Sequence, residues 1–293
     1  MFLPIQLPQV SIMNAVQNSV GFAAMDSMLL RTLETWFRDQ QRSIAAAAAS
    51  STASTAEADA YYSLAMQHWH TGDAAQGEAA ARKALAIRMR CYGPLHIETL
   101  AAKGVLGILL RMGKKFQECR QVCVEVVEGR TQTLGANHSE TITASSNLAA
   151  CLYEMGAHHE AHAILLKVVP VLKRDLGLFH ANTLSVLNSL AGVQEELHMF
   201  DEADATYAEI VHGSKRDLGT AHPTTLTLMH NYADFMFKLD RMSEAEAMFA
   251  ECLECRQRVL GPQHPQTQHT KFCLEATRVC KTLGQRKASS MKR

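Results

Sequence analysis

The sequence predicts an all-α protein folded as an α-solenoid, a stack of repeated helical hairpins. The first observation is a five-residue phrase, Leu-Gly-x-x-His in its commonest form, that recurs at an unbroken interval of 42 residues. A constant interval of this length indicates one supersecondary unit copied end to end, in which each unit packs against its neighbours. We call the phrase the connector; its copies are Tyr92–His96, Leu134–His138, Leu176–His180, Leu218–His222 and Leu260–His264.

The second observation is a set of apolar positions in phase with the connector, which predicts two helices per unit. In the first helix, helix A, a large apolar residue stands beside a small one, as in Leu148 and Ala149. In the second, helix B, a small residue is followed four and seven residues later by larger ones, as in Ala203, Tyr207 and Ile210. This spacing places the apolar residues on one helical face, and the small positions let two helices pack closely.

The connector is predicted to be the turn from helix B to the next helix A. Its Gly fits the left-handed residue that commonly ends a helix. Pro223 and Pro265 fit the first turn of the next helix, where a missing N–H costs nothing. The connector His residues recur once per unit, on the order of 10 Å apart, so no two can share an ion that binds nitrogen at about 2 Å. We expect their ring nitrogens to hydrogen-bond to nearby backbone groups.

These small and large positions resemble the tetratricopeptide repeat. The longer period, with a connector of the form Leu-Gly-x-x-His-Pro-x-Thr-Leu, is similar to the kinesin light chain type of that repeat and covers roughly residues 57–283. The resemblance implies a right-handed α-solenoid of tandem helix–turn–helix units with a terminal capping helix. The units are expected at about 57–96, 97–138, 139–180, 181–222 and 223–264, and the capping helix at 265–283.

The flanking segments fall outside the period. In residues 1–44, the stretch Ser27–Arg42 has apolar residues at helical spacing, which predicts an amphipathic helix that caps the first unit or binds a partner. Residues 45–56 form an Ala, Ser and Thr tract typical of a flexible linker. Residues 284–293 are basic, and we expect a disordered tail, in which phosphorylation of Ser289 is a weaker hypothesis than a plain solvated tail. The capping helix is expected to expose a charged face of Lys271, Glu275, Arg278 and Lys281.

Composition argues against several classes of protein. Lys+Arg and Asp+Glu both number 29, and the zero formal net charge argues against a nucleic-acid-binding surface over the whole protein. No stretch long and apolar enough for a transmembrane helix is present. Met1–Val20 has neither a basic start nor a continuous apolar run, and the first Arg is Arg31, which disfavours a secretory signal and a mitochondrial presequence. We therefore expect a cytoplasmic protein.

Two groups of residues raise the question of a metal site. Cys252 and Cys255 form a C-x-x-C, but the downstream pair Cys273 and Cys280 is seven residues apart, which departs from the usual zinc spacing. Other units carry apolar residues where Cys119, Cys123, Cys151 and Cys252 stand, so these thiols are predicted to be reduced and to fill interior positions.

His158 and His162 are the second group, since side chains four residues apart share one helix face. The Glu-x-x-His arrangement of zinc peptidases does not accompany them, so an exposed polar helix start is the favoured interpretation. Nucleophile-elbow, P-loop and dinucleotide motifs are missing as well. We therefore predict no metal, no cofactor, no catalytic residues and no enzymatic activity.

The predicted functional surface is the face of the A helices, which lines the concave side of such superhelices. Aromatic side chains with a few polar groups suit a channel that holds a peptide. The residues expected to face it are Tyr62, Met66, Trp69, Arg111, Ser146, Asn147, Tyr153, Asn188, Glu195, His230, Asn231, Asp234 and Phe237.

Asparagine recurs on this face. Asn147 and Asn231 occupy one position in phase, whereas the fourth unit has Ser189 there with Asn188 one residue earlier, and the second unit has Val105. In the resembling light-chain repeats, Asn at these positions contacts the backbone of bound cargo peptides, which its amide can do as donor and acceptor. The alternative is that these amides hydrogen-bond across to a neighbouring repeat.

The sequence thus predicts a non-catalytic interaction scaffold or adaptor that binds a protein or peptide partner, without nucleic acid and without membrane insertion. The resemblance implies a cargo adaptor for a microtubule motor, but the heptad region that would join a motor is missing. Arg111 and Lys238 are the only basic residues expected in the groove, which disfavours binding of a C-terminal carboxylate. The alternative function is a regulatory or accessory subunit that is permanently bound to an enzyme or self-associates through its repeats.

Overall fold

The computed structural model describes residues 54–290, with side chains up to residue 283. Within that range every regular element is a helix, and there is no strand. The predicted amphipathic helix at Ser27–Arg42 and residues 45–53 of the predicted linker lie outside the described residues. The all-α solenoid predicted from the repeat is confirmed.

Eleven helices follow one another in the described part of the chain. Odd-numbered helices α1 to α9 are the A helices, even-numbered helices α2 to α10 are the B helices, and α11 closes the stack. The helices are α1 (54–71), α2 (Ala74–Tyr92), α3 (Ile97–Met112), α4 (Phe116–Leu134), α5 (Ser139–Glu154), α6 (His158–Asp175), α7 (Ala181–Glu196), α8 (Phe200–Asp217), α9 (Pro223–Lys238), α10 (Met242–Leu260) and α11 (Pro265–Ser290).

The A helices lie closer to one another than the B helices do. From α3 to α11, the Cα atoms of each A helix come within 8 Å of those of the next A helix. No two successive B helices among α2 to α10 approach each other in this way. Because the inner elements of a curved stack are closer together than the outer ones, the A helices form its inner layer.

The core follows the predicted in-phase positions. The small residues Ala161, Ala203 and Ala245 are 0 % exposed, so helices A and B approach closely at these points. The larger residues that follow them are also buried, and burial of an aliphatic or Phe side chain among them contributes about 1.5–3 kcal/mol. These larger residues are Leu165, Val168, Tyr207, Ile210, Phe249 and Cys252.

The connector Gly residues all have positive φ, as predicted, but most differ in ψ from a left-handed helical residue. Gly93, for example, has φ 85° and ψ 173°, a conformation that is essentially restricted to Gly. Its N–H still closes the helix by donating to the carbonyl of Met89 at 3.0 Å. The extended ψ then leads the chain away from helix B toward the next helix A.

The connector His residues are helix N-caps. Nδ1 of His138 accepts a hydrogen bond from the backbone N–H of Glu140 at 3.2 Å, which satisfies a donor that the helix itself leaves free. The buried hydroxyl of Thr141 donates to the carbonyl of Gly135 at 2.8 Å and ties the new helix to the end of the previous one. The prediction of a His–backbone hydrogen bond is confirmed, and the same 3.2 Å cap is formed by His96, His180, His222 and His264.

The turn from helix A to helix B also recurs with the period of 42 residues. Its left-handed residues are Gly72, Lys114, Gly156, His198 and Asp240, with φ between 59° and 81°. Three of them are not Gly, and each of these three costs roughly 1–2 kcal/mol in this conformation. At Lys114 and His198, therefore, the packing of the two helices and not local residue preference imposes the geometry of the turn.

Helix boundaries at both ends differ from those predicted. Helix α1 includes residues 54–56, which were assigned to the linker. Helix α11 continues to Ser290, beyond the predicted end at residue 283, so residues 284–290 are helical and not disordered. A single Gly in a helix interior costs only about 1 kcal/mol relative to Ala, and good helix formers such as Gln285 and Lys287 follow Gly284.

The exposed face of α11 is more apolar than predicted. Phe272, Val279 and Leu283 are 68 %, 58 % and 52 % exposed. Of the four predicted charged residues, Arg278 and Lys281 pair with Glu246 on α10, at 3.0 and 2.7 Å.

None of the described helices is both long and apolar enough to cross a lipid bilayer.

Candidate functional site

The residues predicted to form the peptide groove all lie on A helices, from α1 to α9. Tyr153 is 38 % exposed, and the others are half-buried. A half-buried side chain contacts the core on one side and solvent on the other, which is the exposure expected of residues that line a surface of the inner layer.

Two of these residues form an amide pair between units. The Nδ2 atom of Asn231 on α9 donates to Oδ1 of Asn188 on α7 at 3.0 Å, and the two positions are 43 residues apart. For this pair the structure shows the second of the two predicted alternatives, an Asn that bonds across to a neighbouring repeat.

Ion pairs with the same 43-residue offset join other successive A helices. The Arg111 guanidinium donates to Oε1 of Glu154 at 2.5 Å, from α3 to α5. The Lys238 ammonium donates to Oε1 of Glu195 at 2.7 Å and lies 3.0 Å from Asp234. The two basic residues that the sequence placed in the groove are therefore already paired with carboxylates of the same face.

The charge of Lys238 is well compensated. Burial alone would lower its pKa, but the hydrogen bonds to Glu195 and Asp234 outweigh burial and raise it above its usual value. The ammonium group therefore stays charged, and the two carboxylates neutralise it locally. A ligand that approaches this point meets a fixed ion-pair network and not a free positive charge.

Asn147 differs from the other two asparagines. Its side chain is half-buried, and its amide forms no hydrogen bond with any described residue. The preceding Ser146 is not free in this way, since its hydroxyl donates to the carbonyl of Ile142 within the same helix at 2.9 Å. Asn147 therefore offers both a donor and an acceptor to a ligand on this face.

Tyr153 and Tyr207 place two hydroxyl groups beside Gly192 of α7. A Cβ atom added at Gly192 would lie 3.9 Å from each hydroxyl, so the missing side chain leaves space between the two phenols. Burial, followed by the nearby Glu196 and Glu195, raises the pKa of Tyr153, and burial raises that of Tyr207. Both phenols are thus protonated at neutral pH and can donate a hydrogen bond.

In the first unit, the aromatic residues have structural contacts of their own. The guanidinium of Arg88 on α2 lies 4.4 Å from the ring centre of Tyr62, so one face of that ring is covered. Trp69 stacks on the neighbouring His70, with ring centres 5.1 Å apart. Both residues lie on α1, and part of their aromatic surface is already in use.

His230 faces the closing helix. Its ring lies 5.4 Å from that of Phe249 and 5.0 Å from that of His269 on α11. Burial, then the charges of Arg256 and His269, lower its pKa to about 4, so the imidazole is neutral at physiological pH.

A set of buried arginines was not predicted. Arg88, Arg130 and Arg256 are 3 %, 8 % and 3 % exposed, and each donates to the backbone carbonyl ten residues ahead, in the first turn of the next A helix. The sequence contains a signal that could have identified them, because the three Arg positions are separated by whole multiples of the repeat length. Through these hydrogen bonds they hold successive units together.

The cysteines are as predicted for interior thiols. All eight are free, and Cys119, Cys123, Cys151 and Cys252 are at most 4 % exposed. Burial raises the pKa of Cys252 to about 11, and burial together with Cys119 raises that of Cys151 to about 12. Such thiols are protonated at neutral pH and poorly reactive.

His158 and His162 do not form the exposed helix start that was expected. Both are half-buried, and Nδ1 of His158 and Nε2 of His162 are buried without a hydrogen-bond partner among the described residues. His158 lies edge-on to Tyr153 and 4.0 Å from Glu196. The start of α6 is half-buried because it packs against the A helices on either side, α5 and α7.

Sequence-family comparison supports the repeat assignment. One model described as "Tetratricopeptide repeat" matches residues 56–118 and 106–174, and a second with the same description matches residues 225–266. Together they account for more than half of the chain. No curated protein matches it.

Solved structures with the same fold include repeat proteins of the kinesin light chain kind. The nearly identical TPR-like repeats of a Podosopora anserina kinesin light chain, in the Q17M form, match with a TM-score of 0.62 and 20 % identity, over 69 % of this chain and 95 % of that one. BtubC (BKLC) from P. vanneervenii matches with a TM-score of 0.59 and 17 % identity, over 73 % of this chain and 91 % of that one.

At these identities the structural matches report on the fold alone, and the family models identify the repeat. The fold, the 42-residue period and the matched family all agree. The chain therefore belongs to the tetratricopeptide repeat family, with the fold of kinesin light chain-like repeats.

Proposed function

We propose that this protein is a non-catalytic interaction scaffold that holds an extended peptide segment of a partner protein against the A-helix face. The observation that carries the proposal is the unpaired amide of Asn147 on the inner layer; the same helix, α5, also carries the exposed ring of Tyr153. An amide with free donor and acceptor groups matches the backbone of an extended peptide, which presents both.

The spacing of the units suits such a ligand. Packed helices are about 8–10 Å apart, and an extended chain rises about 3.3 Å per residue, so each unit would accompany about three residues of peptide. From Asn147 to Asn231, two units apart, the face would contact about six. Between these points, the space at Gly192 lies beside the hydroxyl of the exposed Tyr153, to which a peptide could bond.

The charge pattern indicates the kind of peptide. Because Arg111 and Lys238 are each paired with carboxylates, the face has no free cation among its proposed contact residues. A peptide recognised by its backbone and by apolar or aromatic side chains fits better than one recognised by a terminal carboxylate. Adaptor function of the light-chain type, in the cytoplasm, is consistent with this proposal and with eight free cysteines.

An accessory subunit is the second candidate, and the apolar residues exposed on α11 favour it. Phe272, Val279 and Leu283 form a stripe that a permanent partner or a second copy would cover. Light scattering of the full chain separates the candidates. A dimer that the substitution Phe272→Asp converts to a monomer supports self-association through α11. If the wild-type chain is itself a monomer, self-association is excluded.

The peptide proposal is tested by selection of a displayed library of unstructured peptides against the full chain, followed by calorimetry. Alanine at Asn147, Tyr153 or Asn231 should weaken a selected peptide by roughly 1–3 kcal/mol each. Lys167→Ala, an exposed position on the B helix α6, is the control and should leave affinity unchanged. Peptide binding that survives all three alanine substitutions would exclude this face as the site.

A further inference from the structure

Three side chains of metal-binding type converge between α9 and α11. His230 on α9, with His269 and Cys273 on α11, offer ligand atoms that all lie within 4.8 Å of one another. His269 Nε2 and Cys273 Sγ are 3.9 Å apart, on adjacent turns of one helix face. In the part of the chain that the structure describes, this is the only such group of three.

Hydrogen bonds around Thr270 define the free nitrogen of His230. The single hydroxyl proton of Thr270 is donated to the carbonyl of Gln266 at 2.9 Å, and the oxygen accepts from Arg256 at 2.6 Å. His230 Nδ1, 3.4 Å from the same oxygen, must then carry the proton of that contact. This tautomer leaves a lone pair on Nε2, and a partner on the second nitrogen is the usual support of a metal-binding His.

The charges around the group are mixed, because the carboxylate of Asp234 is paired with Lys238 at 3.0 Å. Asp234 lies one turn after His230 on α9. The positive charge of Arg256 is engaged by the carbonyls of Gln266 and Leu226, to which its guanidinium donates.

We propose that His230, His269 and Cys273 form a binding site for a thiophilic transition-metal ion of the Zn²⁺ type. Two imidazoles and a thiolate are preferred ligands of Zn²⁺ and poor ligands of Mg²⁺ or Ca²⁺. In a tetrahedral zinc site neighbouring N and S donors are about 3.3–3.6 Å apart, so small side-chain rotations suffice. Water supplies the fourth ligand.

Binding replaces one proton. The ion forms a bond to Cys273 sulfur as the thiol proton leaves to solvent, and the two imidazoles bind through lone pairs without losing a proton. His269 is exposed, so the ion reaches the site directly from solution. The bound ion would fasten the closing helix α11 to the last A helix of the stack.

The test uses the full chain, reduced and freed of metal with a chelator, and Co²⁺ as a spectroscopic probe. We expect one equivalent of Co²⁺ to bind with a thiolate-to-metal charge-transfer band and to be displaced by Zn²⁺. Cys273→Ser should abolish the band, and His230→Ala or His269→Ala should weaken binding by about tenfold or more. The matched controls are Cys280→Ser, exposed on the same helix, and His212→Ala, exposed on α8; both should bind as the wild type does.

Two results would overturn the site: no charge-transfer band with stoichiometric Co²⁺, or a band that persists in Cys273→Ser and is lost when Cys252 and Cys255 are replaced. Circular dichroism shows whether each variant is folded, and the exposed His269 gives a variant whose side chain lies outside the core. Zn²⁺ should also raise the Tm of the wild type but not that of Cys273→Ser. None of these measurements depends on peptide binding.

Discussion

The side chains of Asn231 and Asn188 are joined by a hydrogen bond of 3.0 Å between the A helices of successive units. This bond uses one of the two N–H groups of Asn231 and one acceptor site of Asn188. The remaining amide groups still face the half-exposed inner layer, so the pair both connects two repeats and retains capacity to bind a ligand.

Removal of this pair should reduce stability in a coupled way. Asn188→Ala and Asn231→Ala should each lower the free energy of unfolding, and a double-mutant cycle in urea should give a coupling energy of about 0.5–1.5 kcal/mol. Asn147→Ala, which breaks no such bond, serves as the comparison and should change stability by less than either. Strictly additive single effects at 188 and 231 would mean that the bond contributes nothing.

The connector His residues should behave as N-caps. His138→Ala leaves the backbone N–H of Glu140 without its acceptor and should destabilise the protein by about 0.5–2 kcal/mol. His138→Asn supplies a side-chain oxygen at the same place and should retain most of the stability. Urea unfolding of both variants checks this, and equal losses for Ala and Asn would argue against the capping role.

Gly213 on α8 should not tolerate a side chain. A Cβ atom there would overlap the ring of Phe179, so Gly213→Ala forces a shift in a closely packed contact and should cost about 1–3 kcal/mol. Gly104→Ala is the matched control: a Cβ there meets nothing within 4 Å, and the loss of helix-interior Gly should stabilise by about 0.5–1 kcal/mol. Thermal unfolding of the two variants should therefore shift the Tm in opposite directions.

Glu78 should make stability depend on pH. The carboxylate is buried on α2; burial raises its pKa, but hydrogen bonds from Lys115 at 2.8 Å and Arg82 at 3.0 Å outweigh burial and lower the pKa below the usual 4.5. Because the folded pKa is lower than the unfolded one, the stabilisation is complete above the unfolded value and disappears as pH falls through the folded value.

Glu78→Gln should thus be less stable than the wild type at pH 7, by roughly 1–3 kcal/mol. The difference should shrink below pH 4.5 and vanish in stronger acid. Glu254→Gln on α10, an exposed residue without a described ion pair, should show no such dependence. A difference between Glu78→Gln and the wild type that stays constant from pH 7 to pH 3 would contradict the assignment.

The sequence by itself determined the architecture. The period of 42 residues, the Gly and His of the connector and the in-phase small residues such as Ala203 each depend on spacing along the chain, and local spacing fixes helix faces and turns. For the same reason it predicted that the candidate groove residues lie on the A helices. The ends of the repeat array, where periodicity stops, were the places where its boundaries failed.

The tertiary structure decided which side chains on that face are free. Asn231 is bonded to Asn188 while Asn147 is not, and His230 is directed to His269 and Cys273 on the closing helix. These contacts join residues about 40 positions apart, in different units. They depend on the identity of the neighbour and the reach of each side chain, which a repeating pattern, being the same in every unit, does not specify.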